Sequence, residues 1–272
     1  MANSNFNSAL RDSVVTHLVA AIEATPFRQS PFPHLSVSGF FPADVYATLL
    51  ESLPPPSHYH PFSYSKHHNT EGDSNRKRFC LDQVSLDSLS GGLREFWCSV
   101  RSALGSVELK RAVFEKLSSG LAYRYGCSQS EAAALPGFAL PELFHETGGY
   151  CIKPHPDTRK KVVTMQIALP DSEDRRDLGT EFYRRSTNPM AWLREPKGFE
   201  IVKRMPFVPN TAYAFVVLNT MRLKSWHGRT TLPVESPIRN SLLNIWYEKA
   251  ENGNQEIVRE NEANDTDSRL VA

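Results

Sequence analysis

Residues 150–170, YCIKPHPDTRKKVVTMQIALP, set a histidine and an aspartate two positions apart just ahead of an apolar run. In an extended chain residues i and i+2 project from one face, so His155 and Asp157 point together from the end of one strand, and residues 161–170 read as the next strand. Working outward from this pair, short β-rich runs recur between turn residues: LAYRYG (121–126), LPELFHETGGYCIKPH (140–155), TEFYRR (180–185), FEIVKRMPF (199–207), TAYAFVVL (211–218), SWHGRTTL (225–232) and RNSLLNIWY (239–247). Short strands at such regular spacing predict a sandwich or jelly roll.

The first half is helical. SALRDSVVTHLVAAIEA (8–24) carries Leu10, Val14, Leu18 and Ile22 at helical spacing, and Asn7 or Ser8 is placed to cap it. A short strand over 34–37 and a helix over 42–53, ended by prolines 54–56, follow. Two further helices are expected in LREFWCSVRSALGS (93–106) and ELKRAVFEKL (108–117), with Gly105 breaking between them. The segment His58 to Arg78 is polar, aromatic and short of aliphatics, which predicts an ordered excursion or lid; its four histidines, His58, His60, His67 and His68, read as solvated. The expected architecture is mainly β with a helical preface: one domain over residues 1–249, with preface and lid to 121 and a β core over 122–249, then a polar tail over 250–272.

Charge and composition exclude several classes. The 31 lysines and arginines nearly balance 30 acidic residues, a net charge of +1 that leaves no overall footprint for nucleic acid or an anionic membrane and favours a small neutral or zwitterionic partner. Four cysteines, Cys80, Cys98, Cys127 and Cys151, lack C-x-x-C spacing and read as free thiols. No apolar run long enough to span a bilayer occurs, and the N-terminus lacks a basic patch followed by an apolar stretch, so a cytoplasmic protein is expected.

The chemistry lies in the β region. Seventy residues after Asp157, His227 stands between Trp226 and Gly228, and two histidines with one carboxylate make the facial triad typical of non-haem Fe(II). Twelve residues further on, Arg239 and Ser241 alternate onto one face of a strand, where a guanidinium beside a hydroxyl suits a carboxylate held away from the metal. Tyr150 and Gln166 are placed to hydrogen-bond the same ligand. Thr164, which shares a strand face with Gln166, Arg229, two residues after His227, and Arg124, at the start of an expected strand, are candidates for substrate contact. The insertion from Asp171 to Lys197, with Trp192 and Tyr183, is expected to border the pocket.

With His-x-Asp, a distant His and Arg-x-Ser in place, and GGYCIKPHPD and SWHG around them, the chain resembles the 2-oxoglutarate-dependent Fe(II) dioxygenases over residues 123–247, and its helical preface is similar to the prolyl-hydroxylase-like branch. The resemblance implies a double-stranded β-helix, a cupin-like jelly roll. It further implies Fe(II) on His155, Asp157 and His227, 2-oxoglutarate as cosubstrate with its distal carboxylate on Arg239 and Ser241, and dioxygen as oxidant. The activity implied is hydroxylation of an unactivated C–H bond of a small metabolite or biosynthetic intermediate, with release of succinate and CO2. Asp157 disfavours halogenation, for which the family uses a small residue there. Hydroxylation of a protein or carrier-tethered side chain, and desaturation or cyclisation, use the same chemistry. A non-catalytic cupin-like metal-binding protein would need the metal site but not the Arg239 clamp.

Overall fold

Helix α1 (Ser8–Ala24) starts where Asn7 Oδ1 accepts a hydrogen bond from Leu10 N at 3.0 Å, and it buries Val14, Leu18 and Ile22 along one stripe. The structure is a computed structural model that describes residues 7–61 and 74–271, from 264 onward as backbone alone. Strand β1 (His34–Ser38), helix α2 (Ala43–Glu51) and strands β2 (His60–Pro61) and β3 (Arg76–Cys80) follow. The excursion expected over 58–78 is therefore partly sheet; residues 62–73, with His67 and His68, lie outside the described residues. Helices α3 (Gln83–Asp87), α4 (Gly91–Leu104), α5 (Val107–Lys116), α6 (Ser118–Tyr125) and α7 (Gln129–Ala134) complete the preface.

Helix α6 corrects the reading of LAYRYG as a strand. Gly126, in the left-handed region at φ +68°, donates its N–H to Ala122 O and closes the helix, a cap that local sequence alternation had masked. Arg124 thus does not begin a strand. Its guanidinium donates to the carbonyls of Lys161 (2.5 Å) and Val217 (2.7 Å) and pairs with Glu248 (2.6 Å). These bonds tie α6 to the sheet.

The core strands are β4 (Phe138–Glu146), β5 (Ile152–His155), β6 (Lys161–Ala168), β7 (Glu181–Arg185), β8 (Phe199–Arg204), β9 (Thr211–Val216), β10 (His227–Arg229) and β11 (Arg239–Tyr247). They form a seven-stranded sheet in the order β1-β9-β6-β11-β4-β3-β2 and a four-stranded sheet in the order β5-β10-β7-β8. Pairing is antiparallel throughout the described ladders, and from β4 to β11 the chain passes back and forth between the sheets, except that β7 and β8 form a hairpin within the smaller one. This is the double-stranded β-helix. The two sheets pack face to face where Phe182 of the smaller meets Tyr213 and Phe215 of the larger, with ring centroids 5.8 Å apart in both pairs.

The topology sorts the connections to two ends. Residues 156–160, 186–198 and 217–226 lie at one end, and 147–151, 169–180, 205–210 and 230–238 at the other. At the latter end the loops touch so closely that a Cβ on Gly148 would meet Val234 O at 2.1 Å, and one on Gly179 would meet Met205 O at 1.6 Å. The insertion expected as one flap over Asp171–Lys197 is therefore two connections at opposite ends, because β7 runs between them.

The polar segment 250–272, expected as a disordered tail or a frayed helix, docks on the domain through residues 254–261. Helix α8 (Gln255–Val271) begins at Asn254, whose Oδ1 accepts from Ile257 N (3.1 Å) and whose Nδ2 donates to Leu81 O (2.9 Å). Ile257, 2% exposed, fills the space opposite Gly105, where an added Cβ would meet its Cγ2 at 2.4 Å. Glu260 pairs with Arg101 of α4 at 2.7 Å. The polar composition hid this docking because two neighbouring apolar residues, Ile257 and Val258, carry it. No described helix is long and apolar enough to cross a membrane. Ile257→Ala is expected to lower the unfolding free energy by about 2–5 kcal/mol in urea titrations. Wild-type stability in that variant would mean that α8 does not dock.

Candidate metal centre

Three donor residues converge at the end where β5 stops and β10 starts. Antiparallel pairing sets His227 opposite His155, and their rings lie 4.4 Å apart between centroids. Asp157 follows two residues after β5, its backbone carbonyl accepting from Asn219 Nδ2 at 3.3 Å. One ligand atom from each of His155, Asp157 and His227 falls within 4.8 Å of the others, and His227 Nε2 is 3.7 Å from Asp157 Oδ2. Gly228 makes the strand approach possible: a Cβ there would meet Ile152 O at 2.5 Å.

Hydrogen bonds outside the triad orient it. His155 Nδ1–H donates to Lys153 O (3.0 Å) and His227 Nδ1–H to Ser225 O (2.9 Å), so both rings keep the Nε2 lone pair for a ligand. Asp157 Oδ1 accepts from Lys161 Nζ and Oδ2 from Thr164 Oγ1, each at 2.7 Å. Burial pushes both imidazoles down, His227 to about 4, against the opposing charge of Asp157. Burial would raise the Asp157 carboxyl. The charges of His227 and Lys161 and the hydrogen bonds from Lys161 and Thr164 outweigh it and hold the carboxyl well below the usual carboxylate range. Two neutral imidazoles and one carboxylate are the protonation states a divalent ion requires, and this nitrogen and oxygen set fits iron with open positions.

One rung deeper, a second cluster surrounds Arg239, 2% exposed. Thr164 and Gln166 share a face of β6, so the strand that bonds Asp157 also bonds this cluster. Gln166 Nε2 donates to Ser241 Oγ at 3.0 Å, and its Oε1 accepts from Thr180, Arg239 and Tyr213. Arg239 also donates to Leu178 O (2.6 Å), Thr180 Oγ1 (3.2 Å) and the Glu146 carboxylate, its direct partner across the β11–β4 ladder. The expected open guanidinium fork is thus engaged by resident groups. Glu146 also lies 3.1 Å from Arg76 Nε, and Tyr150, 3% exposed, has the Arg76 guanidinium 5.4 Å from its ring.

The remaining candidates are committed elsewhere. Thr164 donates its hydroxyl to Asp157 Oδ2. Arg229 is buried, donating to Asp177 O (2.7 Å) and Gly179 O (2.8 Å) and lying 3.6 Å from Glu181, which fixes the 169–180 connection at the far end from the triad. Sequence reasoning missed Glu146, Lys161, Thr180 and Tyr213. Tyr213 carried a local signal, the alternation of Thr211, Tyr213 and Phe215 on β9, and Lys161 stands four residues after Asp157; Glu146 is brought in by strand pairing and Thr180 by the connection before β7.

No family model and no curated protein sequence matches the chain. Among solved structures, it is similar to a prolyl-4-hydroxylase from Pseudomonas putida, at 12% identity over 86% of this chain and 99% of that one, with a TM-score of 0.49. It is also similar to the epimerase SnoN in complex with Fe3+, alpha ketoglutarate and nogalamycin RO, at 12% identity over 86% and 83% of the two chains, with a TM-score of 0.47. A third is an oxidoreductase of the 2OG-Fe(II) oxygenase family from Burkholderia pseudomallei, at 13% identity over 88% and 92%, with a TM-score of 0.45. The functional reading rests on the geometry of the site itself.

Thr164→Val should weaken Mn(II) binding about 10- to 100-fold in calorimetric titrations, since Asp157 loses the hydroxyl that orients it. Lys161→Met should tighten the same binding by removing a competing cation. Unchanged affinity in both would place the divalent site elsewhere.

Proposed function

We propose that the chain is an Fe(II)- and 2-oxoglutarate-dependent dioxygenase that hydroxylates an unactivated C–H bond of a small molecule and releases succinate and CO2. The observation that supports this best is the pairing of a facial donor set, His155, Asp157 and His227, with a buried guanidinium one rung deeper along the same strands. When bound, Fe(II) supplies the activation of dioxygen and the open positions for the oxoacid. The chain's residues do the rest. His155 and His227 present Nε2, Asp157 supplies the anionic ligand, and Thr164 and Lys161 hold its two oxygens. Residues 1–249 act as one catalytic unit, the helical preface packing on the larger sheet, and α8 closes over α4.

Arg239 and Ser241, with Gln166 and Tyr150, form the receiving end for the distal carboxylate. Because Glu146 already sits on Arg239, a dicarboxylate must displace it or take up the guanidinium's remaining N–H, so cosubstrate binding rearranges a buried charge pair. The dry surroundings favour an incoming anion that restores the pairing and disfavour a neutral ligand that does not.

Arg239→Ala should raise the apparent KM for 2-oxoglutarate, measured by succinate release, at least about tenfold, equivalent to about 1.4 kcal/mol. Arg239→Lys should recover part of the loss, because charge returns without the fork. Loss of divalent affinity with an unaltered 2-oxoglutarate dependence in Arg239→Ala would contradict this placement.

A further inference from the structure

The near-neutral chain hides a polarised surface. Segments 153–161, 184–200 and 222–224, which lie at or next to the connections at the triad's end of the fold, carry ten lysines and arginines against three acidic residues, leaving 21 against 27 in the remainder. The balanced total that favoured a neutral or zwitterionic partner is the sum of basic segments at this end and an acidic remainder of the chain.

Contacts order some of these cations at the triad's end of the fold. Trp226, the neighbour of His227, packs on Phe199 at 4.8 Å between centroids. The Arg185 guanidinium lies 5.3 Å from the Trp226 ring and 5.2 Å from that of Phe199, and Lys224 Nζ lies 5.4 Å from Trp226. Arg159 is held by Asn219 O at 3.1 Å, the same asparagine whose amide holds the Asp157 carbonyl. None of Arg159, Arg185 and Lys224 has an acidic partner within 4.0 Å among the described residues, whereas Arg184 is paired with Glu200. These three are left without counter-charge among the described residues, whereas Lys161 in the same segments is paired with Asp157.

An apolar surface adjoins them. In the 186–198 connection Met190 is 59% exposed, Trp192 56% and Leu193 74%, an unusual concentration for a water-facing turn. The turn is built. Asn188 Oδ1 caps it at Met190 N (2.9 Å), Gly198 N–H donates to Ala191 O (2.9 Å), and Trp192 lies directly over Gly198. A Cβ at Gly198 would meet that indole at 2.9 Å.

Resting on the dioxygenase reading of this site, we infer that the substrate is a small amphipathic anion: its carboxylate, phosphate or sulfate meets Arg185, Lys224 and Arg159, and its aliphatic or aromatic body lies on Met190, Trp192 and Leu193. A nucleic acid fits less well. Both cations that approach the Trp226 ring sit over it, where a base would stack, the flap is largely aliphatic, and the rest of the chain carries an acidic excess that repels a polyanion.

The test titrates the full-length, metal-free chain with 4-phenylbutyrate, its uncharged amide and a single-stranded DNA 12-mer, following tryptophan fluorescence, with succinate release measured separately on the Fe(II)-loaded chain. The carboxylate should bind at least about tenfold more tightly than the amide. That preference should shrink at high salt and vanish in Arg185→Gln/Lys224→Gln, while Leu193→Asp should weaken both small ligands alike. Equal affinity for acid and amide, binding of neither, or preferential binding of the DNA overturns the inference. If succinate release is observed without the anion preference, the substrate class alone has failed; if the preference is present and 2-oxoglutarate is not turned over, the dioxygenase reading has failed.

Discussion

The antiparallel pairing of β5 with β10 is the constraint on which the site depends. It sets His155 opposite His227, and Arg229 opposite Ile152, with an irregularity in register between them. A slip by one residue would turn every side chain of a strand to the other face, carrying one imidazole away from the other. Gly228 is the sequence's provision for this contact, since a larger residue would collide with the Ile152 carbonyl. The two imidazoles, held at Nδ1 by carbonyls of their own strands, are then presented by backbone and not by loop conformation.

From that pair the interior is layered along β6. Thr164 bonds a triad carboxylate and Gln166 bonds the guanidinium, so one strand sets the spacing between the metal end and the charge pair below it. The buried Arg239–Glu146 pair is costly to desolvate and is matched by hydrogen bonds from the surrounding strands. Such a pair specifies a site more than it stabilises a fold.

Much of this was legible in the sequence, for identifiable reasons. The alternation from Arg239 to Ser241 reads directly onto a strand face, and the i, i+2 spacing of His155 and Asp157 brings the two together although Asp157 lies in the connection after β5. A sandwich or jelly roll was readable from strand spacing, the family resemblance narrowed it to the double-stranded β-helix, and α1 was readable from its apolar stripe and its Asn7 cap. What failed were inferences that needed tertiary partners. LAYRYG alternates like a strand and is a helix closed by Gly126; Arg229 and Arg124 are absorbed by carbonyls whose positions only the fold defines; α8 docks through two apolar residues in a polar segment. Glu146 could be found only by knowing that β4 lies beside β11. Net charge sums over segments that the topology separates, so it does not show how the cations are distributed.

The central claim is that one ion and one oxoacid meet on His155, Asp157 and His227. It is tested most directly by adding Fe(II) and 2-oxoglutarate to the protein without oxygen and recording the visible spectrum. A metal-to-ligand charge-transfer band that forms with the wild-type chain and is lost in His227→Ala and in Asp157→Ala, with the far-ultraviolet circular dichroism unchanged, is the result this account predicts. No band with the wild-type chain, or a band of equal strength in both variants, would contradict it.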